Sequence, residues 1–141
     1  MAGALLDSHA FYWLADQPHV LSKPALLLIA ESQQHFTLHV SAISAWELAV
    51  AGQKARNAPF FGDQPFEVWF KTSCRQTTAK LVIISQRIAI EAASVAKDTG
   101  HRDPADCYVI ATARVRKIPV ITRDAVILRI AASGYVDAVA C

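Results

Sequence analysis

Two aspartates, Asp103 and Asp106, stand at the start of an apolar, alanine-rich segment that extends to residue 113. Pro104 lies between them and suits the first turn of a helix, where its missing N–H has no intrahelical partner. The spacing predicts a helix with Asp103 as N-cap and Asp106 in the first turn, so that both carboxylates lie on one face. They can act only as a cap, or they can point together at a ligand near the positive end of the helix.

Three further acids have a comparable context. Asp7 follows the first predicted strand, Glu47 opens the helix after the second, and Asp124 follows the fourth. Ligands of open α/β sheets bind beyond the carboxyl ends of the strands, so we expect these acids to converge there, together with Asp106 if its helix begins at that edge. Each acid can instead be a helix cap, with Glu47 pairing with Ser44 in an S-x-x-E capping box. Convergence of four acids favours a functional site.

Clustered carboxylates indicate a metal site. Carboxylates that lie a few ångströms apart repel one another, and a cation relieves the repulsion. Oxygen ligands without a histidine or cysteine cluster favour Mg²⁺ or Mn²⁺. The three cysteines are widely spaced and form no C-x-x-C motif, which predicts free thiols in a reducing cytoplasm and argues against a zinc site.

Composition predicts one globular domain that acts on a polyanion. The chain has 141 residues, 53% hydrophobic and 18% charged. We see no basic leader and no apolar stretch that could span a bilayer, so we expect neither a signal peptide nor membrane association.

Of the twelve acids, five would lie in the cluster, which leaves seven to face fourteen Lys and Arg elsewhere. A basic body around an acidic pocket suits a metal-dependent enzyme with a polyanionic substrate, although proteins that bind no nucleic acid are also often mildly basic.

The elements that must position these acids alternate along the chain. Short apolar strands are predicted at 4–6, 36–40, 81–84 and 120–122, with a possible edge strand at 136–140. Helices are predicted at 10–14, 22–34, 41–50, 65–75, 86–97, 103–113 and 124–132, and the polar segment 52–63 is predicted to be a loop. This alternation predicts a mostly parallel sheet covered by helices on both faces, in a single three-layer α/β domain over residues 1–141.

Four motifs, taken in order, resemble the PIN-domain ribonucleases and more narrowly the VapC-like toxins of prokaryotic toxin–antitoxin pairs. They are LDSH at 6–9, SAWELA at 44–49, HRDPAD at 101–106 with IATA at 110–113, and ITRD at 121–124. The resemblance implies a Rossmann-like fold, RNA cleavage dependent on Mg²⁺ or Mn²⁺, a homodimer and inhibition by a bound antitoxin. By position it implies the metal ligands Asp7, Glu47, Asp106 and Asp124, with Asp103 as an auxiliary ligand. It also implies that Ser8 and Thr122 orient carboxylates or a water, and it includes Ser44 as a supporting residue.

Several positions bear on substrate binding. Arg102 and Arg123 are the predicted RNA contacts, because each neighbours a predicted metal ligand. His9 and His101 can contact phosphate or can be hydrogen-bonded structural histidines. Cys107 stands where PIN relatives commonly have arginine, Ser8 replaces the commoner threonine, and residues 52–54 only loosely match the usual Gly-Lys-Leu. These departures concern substrate contacts more than the metal site.

Aromatic residues are predicted to serve a partner surface. Five of them crowd around one loop, and we expect an apolar groove there for an antitoxin segment unless they only cap the core: Phe60, Phe61, Phe66, Trp69 and Phe70. The three tryptophans are predicted to pack in the core or at an interface.

The sequence as a whole predicts a metal-dependent endoribonuclease. A metal-activated water would attack the phosphorus and leave 5′-phosphate and 3′-hydroxyl ends. The alternatives are a housekeeping PIN nuclease without an antitoxin, a phosphoryl-transfer domain, and a non-catalytic RNA- or protein-binding module of the same fold. A receiver domain needs an acid where Ser85 stands, and a DxD phosphatase needs one at His9. A binding module is expected to have lost some of the acids, and all are present.

Overall fold

The computed structural model describes residues 3–141, so the first two residues of the predicted domain lie outside the described part. The described strands are β1 (Ala4–Leu6), β2 (Leu38–Ser41), β3 (Lys80–Val82), β4 (Val120–Thr122) and β5 (Ala138–Ala140). They form one sheet in the order β3-β2-β1-β4-β5, and every pairing is parallel. The helices are α1 (Ser8–Asp16), α2 (Lys23–Gln34), α3 (Ala42–Ala51), α4 (Phe66–Thr77), α5 (Gln86–Thr99), α6 (Pro104–Arg116) and α7 (Ala125–Ala132), and a short 3₁₀ helix covers Pro18–Val20.

The sheet lies between two apolar layers. Along β1, Ala4 and Leu6 face one layer while Leu5 faces the other, because successive strand residues point to opposite faces. The first layer packs α1, α2 and α4 on the sheet, and the second packs α5, α6 and α7. The three-layer α/β fold predicted from the alternation is therefore confirmed, with an entirely parallel sheet.

Side-chain caps determine where the helices begin. Ser22 accepts a hydrogen bond from the Ala25 N–H at 3.2 Å, and Asp103 accepts one from the Asp106 N–H at 3.1 Å, as predicted. The predicted capping box at Ser44 is wrong. The N-cap of α3 is Ser41, whose Oγ accepts from the Ile43 N–H at 3.1 Å, and Ser44 is buried inside the helix.

Some element boundaries also differ from the predictions. Strand β2 begins two residues late because Phe36 adopts a left-handed backbone, with φ of 57°. Strand β3 ends at Val82 rather than residue 84. The buried face of α5 is formed by Ile88, Ala92 and Val95, whereas Ala93 is exposed.

The aromatic residues near the loop after α3 mostly belong to the core. Trp69 and Phe70 are buried, and the Phe11 ring packs against both. Phe60 is exposed, and so is Trp46, which had been expected in the core or at an interface. Within residues 3–141, no helix is both long and apolar enough to cross a membrane.

Candidate active site

Five carboxylates line one pocket of about 360 Å³ beyond the carboxyl ends of β1 and β4. Its walls are formed by Asp7, Ser8, His9, Trp13, Glu47, Asp103, Asp106, Val109, Arg123 and Asp124. Asp7 and Asp124 reach it because β1 and β4 are parallel neighbours. Helix α6 begins at the same edge, so Asp103 and Asp106 reach it from the helix start. The structure thus brings together all five acids that the sequence singled out.

Asp7 is the most buried of these acids. Its Oδ1 accepts a hydrogen bond from the Ala10 N–H at 2.8 Å, which makes it the N-cap of α1. Its Oδ2 accepts a hydrogen bond from the Thr122 hydroxyl. Burial raises the pKa of Asp7, while both hydrogen bonds oppose the rise. The carboxylate is fixed in orientation and held where its charge is costly without a cation.

Thr122 connects Asp7 to Asp124. The Thr122 Oγ1 that donates to Asp7 also accepts a hydrogen bond from the Asp124 N–H at 3.0 Å. Asp124 caps α7, and its Oδ1 accepts from the N–H groups of Val126 and Ile127 at 2.9 and 3.0 Å. A single buried hydroxyl thus orients one acid and the main chain of another.

Glu47 enters the pocket from the middle of α3 rather than from its start. Its Oε1 accepts a hydrogen bond from the Ser8 hydroxyl at 2.6 Å. Ser8 is buried at the start of α1, next to Asp7. This hydrogen bond joins α1 to α3 and places the Glu47 carboxylate beside that of Asp7. The negative charge of Glu47 raises the pKa of Asp7 further.

Asp103 and Asp106 differ in environment. Asp103 is exposed and its Oδ1 is engaged as the cap of α6. Asp106 is half-buried, and its Oδ2 lies 2.8 Å from His101 Nε2. Burial, with smaller contributions from the charges of Asp103 and Asp124, raises the pKa of Asp106 to about 6, although the His101 hydrogen bond lowers it. Mutual repulsion of the acids is therefore already felt at this position.

The carboxylate oxygens of the pocket are of the chemical type that binds a hard cation, but they do not form a complete coordination site. Among residues 3–141, no group of three or more histidine, cysteine, aspartate or glutamate side chains is arranged to hold a metal ion. Each of four acids instead has an oxygen that accepts a hydrogen bond from a protein group: Asp7 Oδ1, Glu47 Oε1, Asp106 Oδ2 and Asp124 Oδ1. Oxygen-only ligands of this kind suit Mg²⁺ or Mn²⁺.

The two predicted RNA-contacting arginines differ in position. Arg123 lines the pocket, but its guanidinium donates to the main-chain oxygens of Cys141 and Val20 at 2.5 and 2.6 Å and lies 4.3 Å from the centre of the Trp13 ring. Arg102 is exposed and does not line the pocket. Ser44 does not line it either, and its buried hydroxyl has no hydrogen-bond partner within the described chain.

Sequence reasoning allowed a hydrogen-bonded structural role for His101 but did not name Asp106 as its partner. The signal was the five-residue spacing across a predicted N-cap, which lets a side chain before the cap reach one in the first turn. Trp13, four residues after His9 on α1, was also not assigned to the pocket, and its ring packs against that of His9.

The family is shown by sequence comparison. Residues 4–133 match the model of the PIN domain. The chain therefore belongs to the PIN-domain family, and the resemblance drawn from the four motifs is confirmed. Membership implies a nuclease in general. A comparison with curated proteins finds no match.

Solved structures share the fold at low sequence identity. DNA-bound VapBC from Salmonella typhimurium has a TM-score of 0.66 at 15% identity, covering 99% of this chain and 98% of that chain. VapBC2 from Rickettsia felis, bound to a promoter DNA fragment, has a TM-score of 0.66 at 8% identity, covering 98% of each chain. VapBC-5 from Mycobacterium tuberculosis has a TM-score of 0.59 at 16% identity, covering 100% of each chain. At these identities the likeness is one of fold.

Proposed function

We propose that this PIN domain is a divalent-metal-dependent endoribonuclease that hydrolyses RNA to 5′-phosphate and 3′-hydroxyl ends. The observation that carries the proposal is the convergence of five carboxylates in one pocket at the carboxyl edge of the sheet. An uncompensated cluster of this kind disfavours the folded, ionised protein, and a cation offsets that cost. The oxygen-only donors point to Mg²⁺ or Mn²⁺.

The side chains have separate tasks in this proposal. Asp7, Glu47, Asp106 and Asp124 hold the ion, with Asp103 as an auxiliary at the pocket rim. A bound divalent ion supplies charge stabilisation for the scissile phosphate and lowers the pKa of an attacking water. Ser8 and Thr122 orient Glu47 and Asp7 through their hydroxyls. Because a bound divalent ion would lower the pKa of the attacking water, that water could release its proton to solvent without a histidine base.

RNA would approach along a rim that carries positive charge. Arg123 lies in the pocket wall and Arg102 lies on the exposed loop before α6. The guanidinium of Arg123 already donates to main-chain oxygens, so it contributes mainly a fixed positive potential. Arg102 remains the exposed cation next to the auxiliary ligand and is the better candidate for a direct phosphate contact.

We further propose that the protein is the toxin of a toxin–antitoxin pair, active in the cytoplasm and homodimeric. The similar solved structures are described as VapBC complexes, which supports an antitoxin partner. An apolar groove of about 560 Å³ runs between α3, α4 and β3, with Phe66, Phe70 and Leu81 in its walls. Such a groove suits an amphipathic antitoxin segment. The three cysteines are free, as expected in a reducing compartment.

An RNA cleavage assay tests the nuclease proposal. The full chain is incubated with a defined single-stranded RNA in Mg²⁺, in Mn²⁺ and in EDTA, and mass spectrometry identifies the new ends. We expect 5′-phosphate and 3′-hydroxyl products with either metal and none in EDTA or with Asp7→Asn. The control is Asp63→Asn, an exposed acid in the loop after α3. Cyclic phosphate ends, or equal cleavage in EDTA, would contradict the proposal.

Co-expression tests the partner. The predicted antitoxin is a small protein with an apolar C-terminal tail, encoded in the reading frame immediately upstream. We expect the full chain to arrest growth when expressed alone and to be tolerated when that frame is co-expressed. Growth arrest that the upstream frame does not relieve would favour the housekeeping nuclease over the toxin.

A further inference from the structure

The contact between His101 and Asp106 is shielded and short. His101 Nε2 and Asp106 Oδ2 lie 2.8 Å apart, and each side chain is only 19% exposed. A hydrogen bond to an ionised carboxylate that is partly shielded from water is stronger and more directional than a hydrogen bond between two neutral groups. The histidine therefore restricts the rotation of the Asp106 carboxylate.

The backbone of His101 is itself fixed on both sides. Its N–H donates to Thr99 Oγ1 at 3.2 Å, and Thr99 Oγ1 donates to the Val95 carbonyl of α5 at 2.7 Å. Its carbonyl accepts a hydrogen bond from the Cys107 thiol of α6 at 3.1 Å. The left-handed Gly100, with φ of 75°, ends α5 and lets the chain turn there. The imidazole is thus held between two packed helices.

Cys107 takes part in this arrangement through its own chemistry. Its buried thiol donates a hydrogen bond to the His101 carbonyl. The Cys107 side chain therefore contributes to fixing the backbone of His101.

Asp106 differs from Asp7 in how its carboxylate oxygens are used. Both oxygens of Asp7 accept hydrogen bonds from protein donors. Glu47 and Asp124 are each bound through one oxygen, Oε1 and Oδ1 respectively. Asp106 is bound only through Oδ2, and no donor within residues 3–141 reaches its Oδ1. The carboxylate therefore has one anchored oxygen and one oxygen left for a ligand in the pocket.

We propose that His101 is a positioning residue that anchors Asp106 through Oδ2 and so presents Oδ1 to the cation. The inference rests on the proposed metal-dependent function and deepens it. Outer partners that orient a metal ligand commonly change metal affinity about 10- to 100-fold when they are removed. His101 acts through Asp106 and needs no contact with the ion or the RNA.

The test is calorimetric titration of the full chain with Mn²⁺ alone, without RNA. We expect His101→Ala to weaken Mn²⁺ binding about tenfold. His101→Gln should recover part of the affinity, because its amide nitrogen can replace Nε2 as a donor. The matched control is His35→Ala, an exposed histidine at the end of α2, which should bind Mn²⁺ as the unchanged chain does. Thermal unfolding of each variant checks the fold, and His101→Gln carries the test if His101→Ala does not fold.

A double-mutant comparison separates positioning from a general effect. In an Asp106→Asn background, His101→Ala should cause no further loss of Mn²⁺ affinity, since the side chain through which it acts has lost its charge. Equal or tighter Mn²⁺ binding by His101→Ala, or an additive loss in the double variant, would overturn the assignment of His101 alone. Absence of Mn²⁺ binding by the unchanged chain would instead overturn the proposed function, and this inference with it.

Discussion

Ser8 and Glu47 are 39 residues apart in sequence, and their side chains meet in a 2.6 Å hydrogen bond in the pocket wall. Ser8 is buried immediately after Asp7, and Glu47 is half-buried on α3. One hydroxyl therefore couples the orientation of two helices to the orientation of a predicted metal ligand.

Ser8→Ala should weaken Mn²⁺ binding and destabilise the fold by about 1 kcal/mol, the usual contribution of one hydrogen bond when the freed acceptor can be hydrated. Ser8→Thr keeps the hydroxyl and should restore both properties. Calorimetry and urea unfolding measure the two effects. An unchanged Mn²⁺ affinity in Ser8→Ala would show that Glu47 is oriented by other contacts.

Asp7→Asn should abolish RNA cleavage and raise the melting temperature in EDTA at neutral pH. Because burial raises the pKa of Asp7, the folded state binds its proton more tightly than the unfolded chain does. Stability of the unchanged chain therefore falls as the pH rises from the ordinary value of 3.8 through the raised folded value. Asparagine does not ionise and so avoids this loss of stability. The difference in melting temperature between Asp7→Asn and the unchanged chain should therefore shrink toward pH 4. Scanning calorimetry at several pH values, with Asp63→Asn as control, measures it, and a lower melting temperature for Asp7→Asn at neutral pH would contradict the argument.

Asp103→Asn and Asp106→Asn should differ sharply in activity. Asn caps a helix about as well as Asp, so Asp103→Asn should keep α6 intact and reduce cleavage only modestly. Asp106→Asn removes a ligand charge one turn further in and should eliminate most cleavage while the protein stays folded. Both purified variants are assayed on one RNA with Mg²⁺. The reverse ranking would make the cap residue the metal ligand.

Arg114→Ala should destabilise the protein by about 1 kcal/mol without changing Mn²⁺ affinity, since exposed ion pairs contribute little and hydrogen bonds somewhat more. Arg114 donates to Glu91 at 2.7 Å and to the Tyr135 carbonyl at 2.5 Å, and it lies 3.8 Å from the centre of the Tyr135 ring. It thus ties α6 to α5 and to the segment before β5. Arg116→Ala, on the same helix and exposed, is the control. Urea unfolding of both variants should show a loss only for Arg114→Ala.

Light scattering should find a stable dimer at micromolar concentration. The motive is the exposure of large apolar side chains: Trp46 on α3 is 57% exposed, and Ile83 after β3 is 71% exposed. Where exposed apolar side chains form a contiguous patch, that patch usually marks a partner surface. A soluble monomer over the same concentration range would count against the dimer.

The fold could be predicted from sequence because its signals are local. Apolar strands, helical periodicity and caps such as Ser22 and Asp103 act over a few residues, and the structure has them where predicted. The failure at Ser44 shows the limit of such motifs. Its S-x-x-E spacing matched a capping box, but the helix begins three residues earlier, with Ser41 as its N-cap. Glu47 accepts a hydrogen bond from Ser8 instead.

The contacts that orient the carboxylates depend on tertiary placement. Thr122 reaches Asp7 across 115 residues of sequence. The family resemblance implied that Thr122 orients a carboxylate or a water, but no local pattern identified Asp7 as its partner. The sequence named the acids, because strand ends in a parallel sheet share one edge. It did not reveal that Arg123 would be engaged by main-chain oxygens.

Arg123 also joins parts of the chain that are far apart in sequence. Its guanidinium bridges Val20, 103 residues earlier, to Cys141, 18 residues later, beside the Trp13 ring. Long-range closures of this kind form slowly, because the loop entropy is lost before the contacts are gained. Brief detachment of the β5 end would release this bridge and open the pocket wall. Amide hydrogen exchange of β5 and of the 3₁₀ helix should therefore occur together, as one cooperative opening that reports on the integrity of the pocket.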